Sequence, residues 1–101
     1  MELIMGGDIA GSSLQGYIDI HYEDLVRIFG EPNMPNDGYK VDAEWAGRID
    51  GVFFTIYNYK DGLNYNGETG LPVEEITDWH IGGFSKEAHR IVSLYIEMKR
   101  S

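Results

Sequence analysis

The chain has 101 residues, 43% of them apolar and 25% charged, and it carries seventeen acids against eight bases, a formal charge of −9. That length accommodates one domain, expected over residues 1–101, and the composition is that of a folded chain. The acidity excludes direct nucleic-acid or anionic-membrane binding through a basic surface, and the lack of cysteine excludes disulfides, thiolate zinc sites and thiol nucleophiles. No apolar run reaches the ~18 residues that span a bilayer and Met1–Met5 is too short for a secretory leader, so a cytoplasmic location is expected.

Taken in chain order, a short strand is expected near Glu2–Met5, followed by a glycine-rich loop over Gly6–Ser13. Leu14–Ile20 alternates Leu14, Ile18 and Ile20 with Gln15, Tyr17 and Asp19, the period of a half-buried strand. Tyr22, Leu25, Val26 and Phe29 then recur at helical spacing; Glu23 and Asp24 suit the N-terminus, Gly30 supplies the stop and Pro32 forbids continuation. Tyr39–Ile49 and Val52–Lys60 form a hairpin about Asp50-Gly51, a pair suited to a type I′ turn. Counting from that turn sets Ile49 opposite Val52, Arg48 opposite Phe53, Ala46 opposite Thr55, Trp45 opposite Ile56, Glu44 opposite Tyr57 and Asp42 opposite Tyr59. One face then holds Val41, Ala43, Trp45, Phe54 and Ile56, a core face. The other mixes charge with aromatic area: Lys40, Asp42, Glu44, Arg48, Phe53, Thr55, Tyr57 and Tyr59.

After a Gly/Asn-rich loop over Asp61–Leu71, Ile76–Ile81 reads as a strand with Trp79 and Ile81 on one side, Asp78 and His80 on the other, broken by Gly82-Gly83. Ser85 is placed to cap a last helix from Lys86 to about Lys99, whose buried stripe is Ala88, Ile91, Val92, Tyr95 and Met98. The core assignment is Trp45, Trp79, Phe54, Ile56, Ile91 and Val92. The fold expected is α+β, a mostly antiparallel sheet with two helices on one face. Two helices cover one sheet face, so the other meets water, a partner or a second copy, and its aromatics favour an interface.

No catalytic pattern stands out. Gly6-x-x-x-x-Gly11-Ser12 lacks the lysine of a phosphate loop, and Asp8 puts negative charge where phosphate would sit. Asp78, His80 and His89 lack the tight spacing of a metal site, Asp42 and Glu44 share a face without sign of a cleft, and no serine sits in a nucleophile elbow. The expectation is therefore a non-catalytic protein with no cofactor and no metal. Thr55–Tyr65 is more informative, because it concentrates tyrosine and asparagine, residues that offer rigid contact area and polar readout. The candidate partner- or ligand-binding residues are Lys40, Asp42, Glu44, Tyr57, Tyr59, Lys60, Asn64, Tyr65 and His80.

Asp37–Trp45 (DGYKVDAEW), Thr55–Gly62 (TIYNYKDG) and Trp79–Gly83 (WHIGG) together resemble a pattern in small uncharacterised accessory proteins of tailed bacteriophages, over about residues 25–95. The resemblance implies a role in the host cytoplasm. Small phage accessory proteins often bind and disable a host system, as anti-CRISPR and other anti-defence proteins do.

Three functions follow as expectations. The first is an inhibitor of a host antiviral defence system that engages a protein partner with a basic nucleic-acid-binding surface. Residues 1–50 hold ten acids and three bases, an asymmetry that suits such a partner. The second is a sponge that sequesters a small nucleotide signal, with Lys40, Arg48 and Lys60 available to its phosphates. The third is a homodimeric structural or regulatory module joined through the open sheet face.

Overall fold

A computed structural model describes residues 2–3, 13–33, 43–58 and 70–100. In chain order these residues form β1 (Glu2–Leu3), β2 (Ser13–Asp19), α1 (Tyr22–Phe29), β3 (Glu44–Ile49), β4 (Val52–Tyr57), a 3-10 turn (Val73–Glu75), β5 (Asp78–Gly83) and α2 (Glu87–Arg100). The strands make one antiparallel sheet in the order β1-β3-β4-β5-β2, four full strands with the two-residue β1 at one edge. Both helices pack on the same face, which makes this a small α+β domain of the expected class. Among the described residues no helix is long and apolar enough to cross a membrane.

The hairpin forms in the register counted from its turn, from Glu44 opposite Tyr57 to Ile49 opposite Val52. Asp50 and Gly51 take φ values of 51° and 81°, the double left-handed geometry that matches the twist of the flanking strands. The inward side chains are Trp45, Phe54, Ile56, Trp79 and Ile81, all fully buried. Helix α1 closes over them through Leu25 and Phe29, and α2 through Ala88, Val92 and Ile96. Phe29 touches both Phe54, at 5.7 Å between ring centres, and Tyr95, at 5.6 Å, so one ring joins α1, the sheet and α2. Trp45 and Trp79 meet edge to face at 5.5 Å. Each buries its indole with a partner for the N–H: Gly30 O for Trp45 (2.8 Å) and Ile76 O for Trp79 (3.1 Å).

The helix ends behave as their sequences dictate. Gly30, at φ 86°, stops α1 and donates its N–H to Val26 O at 2.7 Å. Ser85 Oγ accepts from the Glu87 N–H at 3.3 Å, at the start of α2. The α2 stripe is rotated from the expected one, however. Ile96 is buried, Ile91 and Tyr95 are half-buried, and Met98 is exposed at the end of the last turn. Ala88, Val92 and Ile96 form a row four residues apart, and that row is the one that meets the sheet.

Two strand readings need correction. Leu14 does not point inward with Ile18 and Ile20, because the ladder between β2 and β5 shifts between Leu14 and Gly16. A bulge inserts one residue and turns everything before it to the opposite face, so Leu14 lies outward and exposed. Gly82-Gly83 does not break β5; the strand runs through both. A Cβ on Gly82 would lie 2.5 Å from Thr55 Oγ1, and one on Gly83 would collide with the Ala88 Cβ of α2. The two glycines mark close approach, of a neighbouring strand on one face and of a helix on the other.

Candidate functional site

Antiparallel pairing sets Glu44 opposite Tyr57, Tyr57 opposite His80, and His80 opposite Tyr17, so four strands contribute one row to the face away from the helices. His80 is held edge-on between the two tyrosines. Its ring centre is 4.9 Å from that of Tyr17 at 84°, and 5.3 Å from that of Tyr57 at 65°. Such T-shaped contacts place a ring edge against a π face, which fixes the imidazole plane without burying it. Leu14, Tyr17, Tyr57 and His80 line a shallow depression of about 390 Å³. Gly82, opposite Leu14 in the next row, adds no side chain between Leu14 and Tyr57.

The rest of this face is less open than its residue types imply. Ala46 and Thr55 are buried, and Phe53 is covered by the stacked ring of Phe84, 4.9 Å away at 29°. Arg48 is exposed at the far end and is the only lysine or arginine among the described residues of the face. At the opposite end Asp19 and Asp78 are direct cross-strand partners, both exposed.

Of the candidate residues named from the sequence, Glu44, Tyr57 and His80 are brought together in this one row. Lys40, Asp42, Tyr59, Lys60, Asn64 and Tyr65 lie outside the described residues, as do Gly6–Ser12 and the pairing of Asp42 with Tyr59. Asn58, within the tyrosine-rich segment, is fully buried, and its Oδ1 accepts the Ala43 N–H at 3.0 Å, continuing the hairpin ladder by a side chain. Its work is structural. The row also contains Tyr17, and Leu14 borders it from the next row; the sequence singles out neither as a site residue. The alternation in β2 already turns Tyr17 away from Ile18; what it lacks is any sign that β2 lies beside β5, some sixty residues on.

Asp78 and His80 share the open face, but His89 is on the helix side. There its ring packs against Gly16, where a Cβ would lie 2.5 Å from Cδ2, and its Nε2–H donates to Tyr17 O at 3.0 Å. The two imidazoles are thus separated by the sheet, and among the described residues no three His, Asp or Glu side chains converge on one point. Tyrosine hydroxyls, a held imidazole and flanking carboxylates suit recognition of a cationic or flat group. Comparison with models of known protein families, with curated proteins and with solved structures finds no match.

Proposed function

We propose that this chain is a non-catalytic binding protein that works through the open sheet face, and that it acts as an anti-defence inhibitor on a host protein with a basic nucleic-acid-binding surface. The observation that carries the reading is the Tyr57–His80–Tyr17 row, an aromatic strip that no described element covers, on a sheet whose other face is filled by both helices. Tyrosine supplies large contact area with little side-chain entropy to lose, which is why it anchors protein interfaces. Carboxylates flank the strip, Glu44 at one end and Asp78 and Asp19 alongside His80 and Tyr17, and the chain as a whole carries −9, so a basic partner is drawn in at long range. The phage context comes from the sequence resemblance.

A nucleotide sponge is less well supported, because phosphates call for cations and Arg48 alone supplies one among the described residues of the face.

The test is to express the chain in bacterial strains that each carry one nucleic-acid-targeting defence system and to count phage plaques. Plating restored in one strain, and lost with Tyr57→Ala while the variant keeps its fold by circular dichroism, supports the inhibitor. Failure to restore plating in any strain, or full activity of the variant, overturns it. A nucleotide mass retained by the purified chain in native mass spectrometry favours the sponge instead.

A further inference from the structure

The outer edge of β2 borders the aromatic row, and its main chain has a specific pattern. The Ile20 N–H donates to Thr77 O at 2.9 Å, continuing the register in which Ile18 faces Trp79 and Asp19 faces Asp78. In an antiparallel ladder, hydrogen-bonded and non-bonded pairs alternate. Ile18 and Ile20 therefore turn their amides toward β5, and Tyr17 and Asp19 turn theirs outward. The outward carbonyl of Tyr17 already accepts from His89 Nε2. The Tyr17 N–H and both main-chain groups of Asp19 have no hydrogen-bond partner among the described residues. An edge of this kind templates another strand.

Its side chains say what the strand should carry. Asp19 and Asp78 are opposed in a non-bonded pair, where Cα atoms approach to about 4.5 Å and like charges repel. Neither has an ion-pair partner among the described residues. A lysine or arginine on an added strand, opposite Asp19, would lie beside both carboxylates. Two residues along, an apolar side chain would cover the exposed ring of Tyr17. The straight edge is short, because the bulge between Leu14 and Gly16 interrupts it; Gly16–Ile20 spans about 17 Å. A second copy of the chain is a poor occupant, since it brings another −9 and the same bulge.

We propose that the outer edge of β2 is a strand-addition site for an extended segment of the partner protein, with a basic residue opposite Asp19 and an apolar one opposite Tyr17. The proposal rests on the reading of the open face as a protein-binding surface, and names how that partner docks.

The probe is a short threonine-rich peptide carrying one lysine and one valine two residues apart, so that both fall on the face of Asp19 and Tyr17, added at millimolar concentration to the isotope-labelled chain while amide hydrogen exchange is followed by NMR. Exchange at Tyr17 and Asp19 is expected to slow about tenfold. The same peptide with N-methylated backbone amides, and one with glutamate for lysine, are expected to leave both amides unprotected. Asp19→Asn together with Asp78→Asn should weaken the lysine peptide without loss of fold. Absence of protection by the lysine peptide, or protection indifferent to N-methylation, overturns the proposal. So does protection that rises with the chain's own concentration and no peptide, which assigns the edge to a second copy. If plaque counts depend on Tyr57 but these amides stay unprotected, the open-face reading stands and strand addition fails. The converse result retains the edge and removes the anti-defence role.

Discussion

The two faces of the sheet are built from the same strands, one residue out of phase, and they have opposite characters. On the helix side, Trp45, Phe54, Ile56, Trp79 and Ile81 are fully buried and bound into one aromatic and aliphatic core. On the other side, Glu44, Tyr57, His80 and Tyr17 follow the strand alternation into a row that reaches solvent. Strand parity separates a face packed under the helices from one that carries polar and aromatic side chains toward solvent. A slip of one residue in either long pairing would exchange the sets. The Asp50-Gly51 turn prevents that slip in the hairpin, and the close fit of Gly82 under Thr55 opposes it in β5.

Substitutions on the two faces should therefore separate cleanly by size. The largest loss is expected for Trp79→Ala, which removes a fully buried indole and its hydrogen bond to Ile76 O and should cost about 3–5 kcal/mol in urea denaturation. In a domain holding roughly 5–15 kcal/mol in all, that loss leaves little. Gly82→Ala tests the exception on the open face. The new methyl meets Thr55 Oγ1, so about 1–3 kcal/mol should be lost, and Thr55→Ala in the same chain should recover part of it. Asn33→Ala removes two hydrogen bonds to the main chain of Ala46, at 2.9 and 3.0 Å, and should cost about 1–2 kcal/mol. Tyr17→Ala should change stability by less than about 1 kcal/mol, because the ring is exposed and loses one edge contact to His80. A loss as large as that of Trp79 would make the open row part of the core and end the distinction.

The smallest effect is confined to alkali. Burial, reinforced by Glu31 and Glu74, pushes the Tyr22 hydroxyl above its ordinary pKa. The folded state thus keeps this proton longer than the unfolded one. The stabilisation is present in full below tyrosine's usual value of about 10 and is lost as pH rises through the folded value. Tyr22→Phe should flatten that alkaline decline in a series of melting curves and leave the neutral one unchanged.

What the sequence discloses follows from the range of the interactions. The hairpin is local, and its two turn residues determine register and face by counting alone. Helix α1 is equally legible, since Tyr22, Leu25, Val26 and Phe29 with Gly30 state both its stripe and its end. The positions that depart from expectation all depend on contacts distant in sequence. Leu14 follows the alternation of β2 until a bulge against β5 reverses it. Gly82 and Gly83 look like a break until Thr55 and Ala88 are seen beside them. The α2 stripe turns on which row meets the sheet, and Met98 has the right spacing but stays exposed at the helix end. For the site, Glu44, Tyr57 and His80 are legible as outward residues, whereas Tyr17 joins them only through the pairing of β2 with β5.

The side-chain amide of Asn33 occupies the outer edge of β3 as a short strand would, accepting from and donating to Ala46, while β1 covers Gly47 and Arg48 beside it. The sheet is consequently polar in its capacity to grow. A sheet with two open edges can add copies without limit and propagate as a filament; closing one of them removes the second point of attachment. Among the described residues, growth on the β3 side has only the two residues of β1 to build on, and the longer stretch of main chain open to strand pairing is the edge of β2.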